Sequence, residues 1–169
     1  MRIGEKHYNK LLKYEDVFKK IEYFVDAGKI EESYEIANMR GNQVVRELTL
    51  YLLKEYTEVF RFEPLLRLNY VPENYLYEAV EEDLCIHVND GIEEIRDWAF
   101  AFCQIKKLII SKNVKYIGEG ALSLNAGEIE YQGTTKEFIS KFLGKTKCFK
   151  RSCRQQTIIC NDGELVIDK

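Results

Sequence analysis

Two stretches of this chain overlay at a spacing of 22 residues, 86–103 (IHVNDGIEEIRDWAFAFC) on 108–125 (LIISKNVKYIGEGALSLN). Ile86 then meets Leu108, Val88 meets Ile110, Ile92 meets Val114 and Ile95 meets Ile117. Ala99 meets Ala121, Phe100 meets Leu122 and Phe102 meets Leu124. Seven of the 18 pairs are apolar in both copies, against roughly four for chance, so the count decides little. The spacing inside each copy says more. A β-like triplet is followed by a polar turn, two apolar residues three apart, and a small residue beside a large one. Alternation sets Ile86 and Val88 on one strand face and His87 on the other; Leu108, Ile110 and Ile109 repeat this. Ala99 and Ala121 suit a close approach of two coils, with the large neighbour filling the interior. A unit of this kind cannot bury its own apolar edge and must stack on a neighbour.

The first half of the chain has a different period. Val17, Phe18, Ile21, Phe24 and Val25 lie on one helical face over 15–27, with Asp16 placed to cap it and Gly28 placed to stop it. A second helix is expected from about Ile30 to Met39, with Gly41 beyond it. A third follows the capping residue Asn42, its stripe made by Val44, Val45, Leu48, Tyr51, Leu52, Tyr56, Val59 and Phe60. Both prolines fall in 61–80, which should break into turns and short helices as a packed junction. The domain division expected from this is 1–80, helical, and 81–169, the repeat and its tail.

At 169 residues, 46% hydrophobic and 31% charged, with 2 Pro and 10 Gly, the chain is long enough for a buried core. A disordered, collagenous or disulfide-stapled chain is excluded. No apolar run has the length of a secretory core or a spanning helix, so a soluble, cytoplasmic protein without a membrane partner is expected. The five cysteines (85, 103, 148, 153 and 160) are an odd number scattered through apolar segments, which suits buried, reduced thiols.

The run VNDGIEEIRDWAFAFCQIKKLIISKNVKYIGEGAL resembles the BspA-type leucine-rich repeat, whose unit reads roughly I-P-x-x-V-x-x-I-G-x-x-A-F-x-x-C-x-x-L. Ile92, Ile95, Ala99, Phe100, Cys103 and Leu108 take those places in the first copy. Val114, Ile117, Gly118, Ala121 and Leu122 take them in the second, where Asn125 replaces the cysteine. The tail from Ile129 (IEYQGTTKEFISKF) and Thr157 (TIICNDGELVI) is similar to the closing segment of that family. It would carry a short helix with Phe138, Ile139 and Phe142, and a hairpin turning at Asn161, Asp162 and Gly163. The resemblance spans about 85–167. The fold class expected is α+β: an N-terminal helical bundle, then a short leucine-rich-repeat-like β/α solenoid with a C-terminal capping helix and hairpin.

Catalytic chemistry has little to work with. The only histidines are His7, near the terminus, and His87, on a strand. No nucleophile elbow, phosphate loop or dinucleotide turn occurs. Cys148, Cys153 and Cys160 lack the tight spacing of a zinc knuckle. Glu93, Glu94, Asp97 and the run Glu81, Glu82, Asp83 occupy polar turn positions and read as solvated surface. The chain is therefore expected to be no enzyme and to hold neither metal nor cofactor.

Two surface features remain. KTKCFKRSCR, 145–154, concentrates Lys145, Lys147, Lys150, Arg151 and Arg154 with no acid, with Phe149 available for stacking. The outward row of the repeat strands would present His87, Ile109 and Glu130. The function expected is a non-enzymatic protein–protein interaction module, an intracellular regulator or inhibitor of the kind a virus or mobile element could encode. The alternative is nucleic-acid or nucleoprotein binding through Lys145–Arg154. A short stack leaves apolar edges, so pairing of two copies into a homodimer is a further option.

Overall fold

The computed structural model describes residues 9–53, 68–150 and 155–168, the side chains of residues 12, 16–18, 21 and 22 apart. It divides into two compact units, 1–68 and 69–169.

In the first unit a 3-10 turn (Leu12–Tyr14) leads into α1 (Glu15–Asp26), α2 (Ile30–Arg40) and α3 (Asn42–Tyr51). Gly28 ends α1 at φ +71°, a left-handed position that glycine adopts without steric cost. The amides of Gly28 and Lys29 turn back to the carbonyls of Val25 and Phe24. No side chain caps α1, which begins at Glu15, before the expected cap residue. Helix α3 buries Val44, Val45 and Leu48, with Leu52 just beyond it, and the Tyr34 hydroxyl of α2 lies 2.9 Å from that of Thr49. Helix α1 packs on α2 and α2 on α3, without a comparable contact between α1 and α3.

The second unit holds two sheets. Two-residue strands β1 (Tyr70–Val71), β3 (Glu94–Ile95) and β5 (Tyr116–Ile117) form an all-parallel sheet in the order β1-β3-β5. The other sheet has the order β2-β4-β6-β7-β8, from β2 (Val80–Val88), β4 (Gln104–Ile110), β6 (Asn125–Tyr131), β7 (Gln156–Cys160) and β8 (Gly163–Ile167). Its first four strands are parallel, and β8 turns back antiparallel. Ile86, Leu108, Ile129 and Ile158 stand side by side and buried, as do Val88, Ile110, Tyr131 and Cys160. From the small sheet Val71, Ile95 and Ile117 are fully buried, and Ala99, Phe100, Ala121 and Leu122 of the turns are buried too.

The expected α+β architecture is corrected by these findings. The chain is a mixed α/β protein with one parallel and one mixed sheet, and five short helical elements among the described residues. Among the described residues no N-terminal bundle is shown, only the successive packing of α1 on α2 and of α2 on α3. Nor is a β/α solenoid shown among the described residues. Turns, not helices, connect β2, β4 and β6, and the backbone groups there bond from one turn to the next, as from the Phe100 amide to the Ala121 carbonyl. The boundary between the two compact units falls at 68/69. Residues 69–80 bond to the segment after them, the Leu76 amide to the Ala99 carbonyl and the Glu78 amide to that of Ala101.

Helix α4 (Thr135–Lys141) opens on a reciprocal cap. The Glu137 amide donates to the Thr134 hydroxyl, and the Thr134 amide donates to the Glu137 carboxylate at 2.7 Å. Asp162, in the turn between β7 and β8, accepts from the Thr135 amide at 2.7 Å and its hydroxyl at 3.0 Å. The bond from the Thr135 backbone holds the Asp162 carboxyl below its ordinary range, and the bond from the Thr134 backbone does the same for Glu137. A folded-state pKa below the unfolded one contributes stability that is complete above the unfolded value and lost as pH falls through the folded one. Asp162→Asn will therefore lower the urea midpoint at neutral pH, and the difference will narrow as the pH falls below the ordinary carboxylate range. Parallel urea titrations of both proteins at several pH values measure this.

Candidate partner-binding face

Strand alternation in the five-stranded sheet sends one set of side chains into the core and the other outward. The outward set lines up by register: His87 beside Ile109, Ile109 beside Glu130, Glu130 beside Ile159, and Ile159 beside Glu164. His87, Ile159 and Glu164 are exposed, and Ile109 and Glu130 are half-buried. A second row holds Cys85, Lys107 and Glu128, and Thr157 pairs with an exposed Val166 on β7 and β8. The Lys107 ammonium bridges Glu128 and Glu130, the latter at 2.8 Å, and hydrogen bonds to these two carboxylates raise its pKa. Side chains of β4 and β6 are thereby locked in place beside the aliphatic ones.

The structure thus brings His87, Ile109 and Glu130 together in one row. Ile159, Glu164, Val166 and Lys107 complete the face and were not singled out from sequence. The alternation of buried Gln156, Ile158 and Cys160 with exposed Thr157 and Ile159 was the available signal.

The basic segment is placed elsewhere and has a structural task. The carbonyls of Lys147 and Cys148 accept from the amides of Gly120 and Leu122, and that of Lys150 from the Ser123 hydroxyl. Lys145 and Lys147 are exposed, whereas Lys150 is bonded to Glu119 at 2.7 Å. Phe149 is half-buried, its ring 6.4 Å from that of Phe138. Arg151 and Arg154, with His7 and Cys153, lie outside the described residues.

Burial pushes the Cys103 thiol up to about 12 and raises those of Cys148 and Cys160, so these sulfurs are protonated and unreactive at neutral pH. Among the described residues no three His, Cys, Asp or Glu side chains gather as a metal set. Glu93 pairs with Lys115 at 2.8 Å, and Asp97 accepts from the Glu119 amide at 2.8 Å, so these acids tie one turn to the next. No helix among the described residues is long and apolar enough to cross a membrane. Comparison of the chain with protein-family models, curated proteins and solved structures finds no match.

Proposed function

We propose that this chain is a non-enzymatic protein-binding module that engages its partner through the outward face of the five-stranded sheet. The observation that carries the reading is the registered row His87, Ile109, Glu130, Ile159, Glu164, with Val166 beside it. Aliphatic groups standing among fixed charges combine desolvation with orientation, which is the composition of an interface centre and rim. Five strands at their usual spacing span about 19 Å, which suits an interface at the small, reversible end of the range. Reversible binding fits a regulator or inhibitor.

The sequence resemblance to a family of binding repeats supports the same reading. Four of the cysteines are free thiols, Cys85 exposed and Cys103, Cys148 and Cys160 buried, which suits a reducing, intracellular compartment. The nucleic-acid alternative is weaker, since Lys150 is bonded to Glu119 and three carbonyls of the segment hold neighbouring turns.

Ile159→Glu places a charge within the row, on its fourth strand, without touching the core. Quantitative affinity capture from the cell of origin should show partner retention falling about 30-fold, the scale of a hot-spot residue near 2 kcal/mol. Lys136→Glu, on the exposed side of α4, should leave retention unchanged. Equal retention by both variants would remove the sheet face from consideration. Sedimentation of the purified chain at two concentrations shows whether a second copy is the partner.

A further inference from the structure

We infer that the free edge of β8 is a second docking site, one that takes an extended basic strand of a protein partner by strand addition. The contact is made by backbone groups in the plane of the sheet, so it is independent of the outward face. β8 ends the sheet order β2-β4-β6-β7-β8 and pairs there only with β7, from Gly163 opposite Cys160 to Ile167 opposite Gln156. Alternate residues of such a strand turn their N–H and C=O groups away from the one neighbour they have. Among the described residues no other segment exchanges backbone hydrogen bonds with 163–167. The structure that satisfies such groups is the backbone of another extended strand.

The two edges of the sheet differ in kind. On β2, at the far end, the register with β4 breaks between Glu81 and Cys85, and Glu81, Glu82 and Asp83 load the break with charge. Both are devices that keep a foreign strand from pairing. β8 has no register break, no proline and no lysine. Leu165 and Ile167 are half-buried on one of its faces, and Val166 is 48% exposed on the other. A sixth strand would lay aliphatic side chains beside all three. Charge selects the occupant. Glu164 stands two residues before Val166 and Asp168 two residues after it, in the same alternation. Both are exposed; Asp168 accepts from the Gln155 side-chain amide at 2.6 Å, and neither forms an ion pair among the described residues. A second copy of β8 does not answer these charges. Pairing that keeps the faces sets Glu164 opposite Glu164, Val166 or Asp168, and Lys169 is one position out of step. A partner strand reading Lys-x-Val-x-Lys, aliphatic at x, meets both carboxylates and all three apolar side chains.

The test uses the full chain and a fluorescently labelled peptide of about nine residues with Lys-Ile-Val-Ile-Lys at its centre. Its counterpart carries Glu in place of each Lys. Anisotropy titration should show saturable binding of the Lys peptide, at least about fivefold tighter than the Glu peptide, and Glu164→Lys should invert that order. Should Glu164→Lys alter the circular dichroism spectrum, Glu164→Gln removes the charge alone and should narrow the gap between the two peptides. Two further versions of the Lys peptide are N-methylated at alternate residues, one at the odd positions and one at the even. Only one set points its N–H groups at β8, so one version should lose at least about tenfold in affinity and the other should bind like the parent. Equal binding of the Lys and Glu peptides, or equal sensitivity to the two methylation sets, overturns the proposal. So does a dimer in sedimentation equilibrium that the Lys peptide dissolves, which would make a second copy the occupant. The capture experiment with Ile159→Glu reads the outward face separately.

Discussion

Replacing Phe138 with alanine will lower the unfolding free energy of the second unit by about 3–5 kcal/mol, the range for emptying a buried aromatic site. Phe138 is fully buried, and its ring lies 5.2 Å from that of Tyr131 and 5.0 Å from that of Phe142, edge to face in both cases. The neighbours cannot close the hole. Tyr131 is held in register on β6 opposite Ile110 and Cys160, and Phe142 is fully buried. The cavity would therefore remain, and the cost belongs in the upper part of the range. Ile139, on the same helix but 45% exposed, is the matched control, and Ile139→Ala should stay within about 0.5 kcal/mol of the parent. Guanidinium unfolding with an unchanged slope separates a loss of stability from a loss of cooperativity. Equal shifts for the two variants would mean that α4 is not anchored through this ring. Because Phe149 leans on Phe138, the same cavity would loosen the strap whose carbonyls hold Gly120 and Leu122.

Much of the sheet face was legible because its residues repeat at nearly constant spacing. The overlay of Ile86 on Leu108 and of His87 on Ile109 is the register of β2 on β4. The turn at Asn161, Asp162 and Gly163 was legible for a chemical reason, since those residue types tolerate a reversed backbone. The far half of the face was not. Ile129 pairs with Ile158 across a 29-residue gap holding α4 and the basic strap, and no constant spacing announces such a pairing. The turns after β3 and β5 misled in another way. Trp98 and Phe102 have φ near +57°, a left-handed conformation that bulky side chains rarely adopt, so nothing in their chemistry signals it. Their small-plus-large pattern therefore resembled a solenoid coil with helical sides. Asn74 and Glu78 take the same conformation in 69–80, which hid that segment's membership of the second unit. The basic strap shows its charge in the sequence, but a carbonyl engaged by the next turn leaves no mark on residue type.

Gly118→Ala should cost about 3 kcal/mol or more, because a methyl group there meets backbone. A Cβ on Gly118 would stand 2.6 Å from the Asp97 amide nitrogen and 2.9 Å from the Arg96 carbonyl carbon. Those atoms cannot retreat. The Gly118 amide donates to the Ile95 carbonyl at 2.7 Å, the Trp98 amide to the Glu119 carbonyl at 2.9 Å, and the Glu119 amide to the Asp97 carboxylate at 2.8 Å. Gly120 is a different case. It sits at φ +64°, and its Cβ would stand 2.3 Å from two carbons of the Trp98 ring, a side chain rather than backbone. Gly120→Ala therefore combines a left-handed strain of about 1–2 kcal/mol with a clash that a smaller residue at 98 would relieve. A double-mutant cycle distinguishes the two glycines. Trp98→Ala should recover part of the stability lost in Gly120→Ala and none of that lost in Gly118→Ala, read from guanidinium midpoints. Recovery of both would show that the turns are separated by side-chain packing alone. Recovery of only the first would show that the close approach of the two backbones, which only glycine permits at 118, sets the spacing at which β3 and β5 pair.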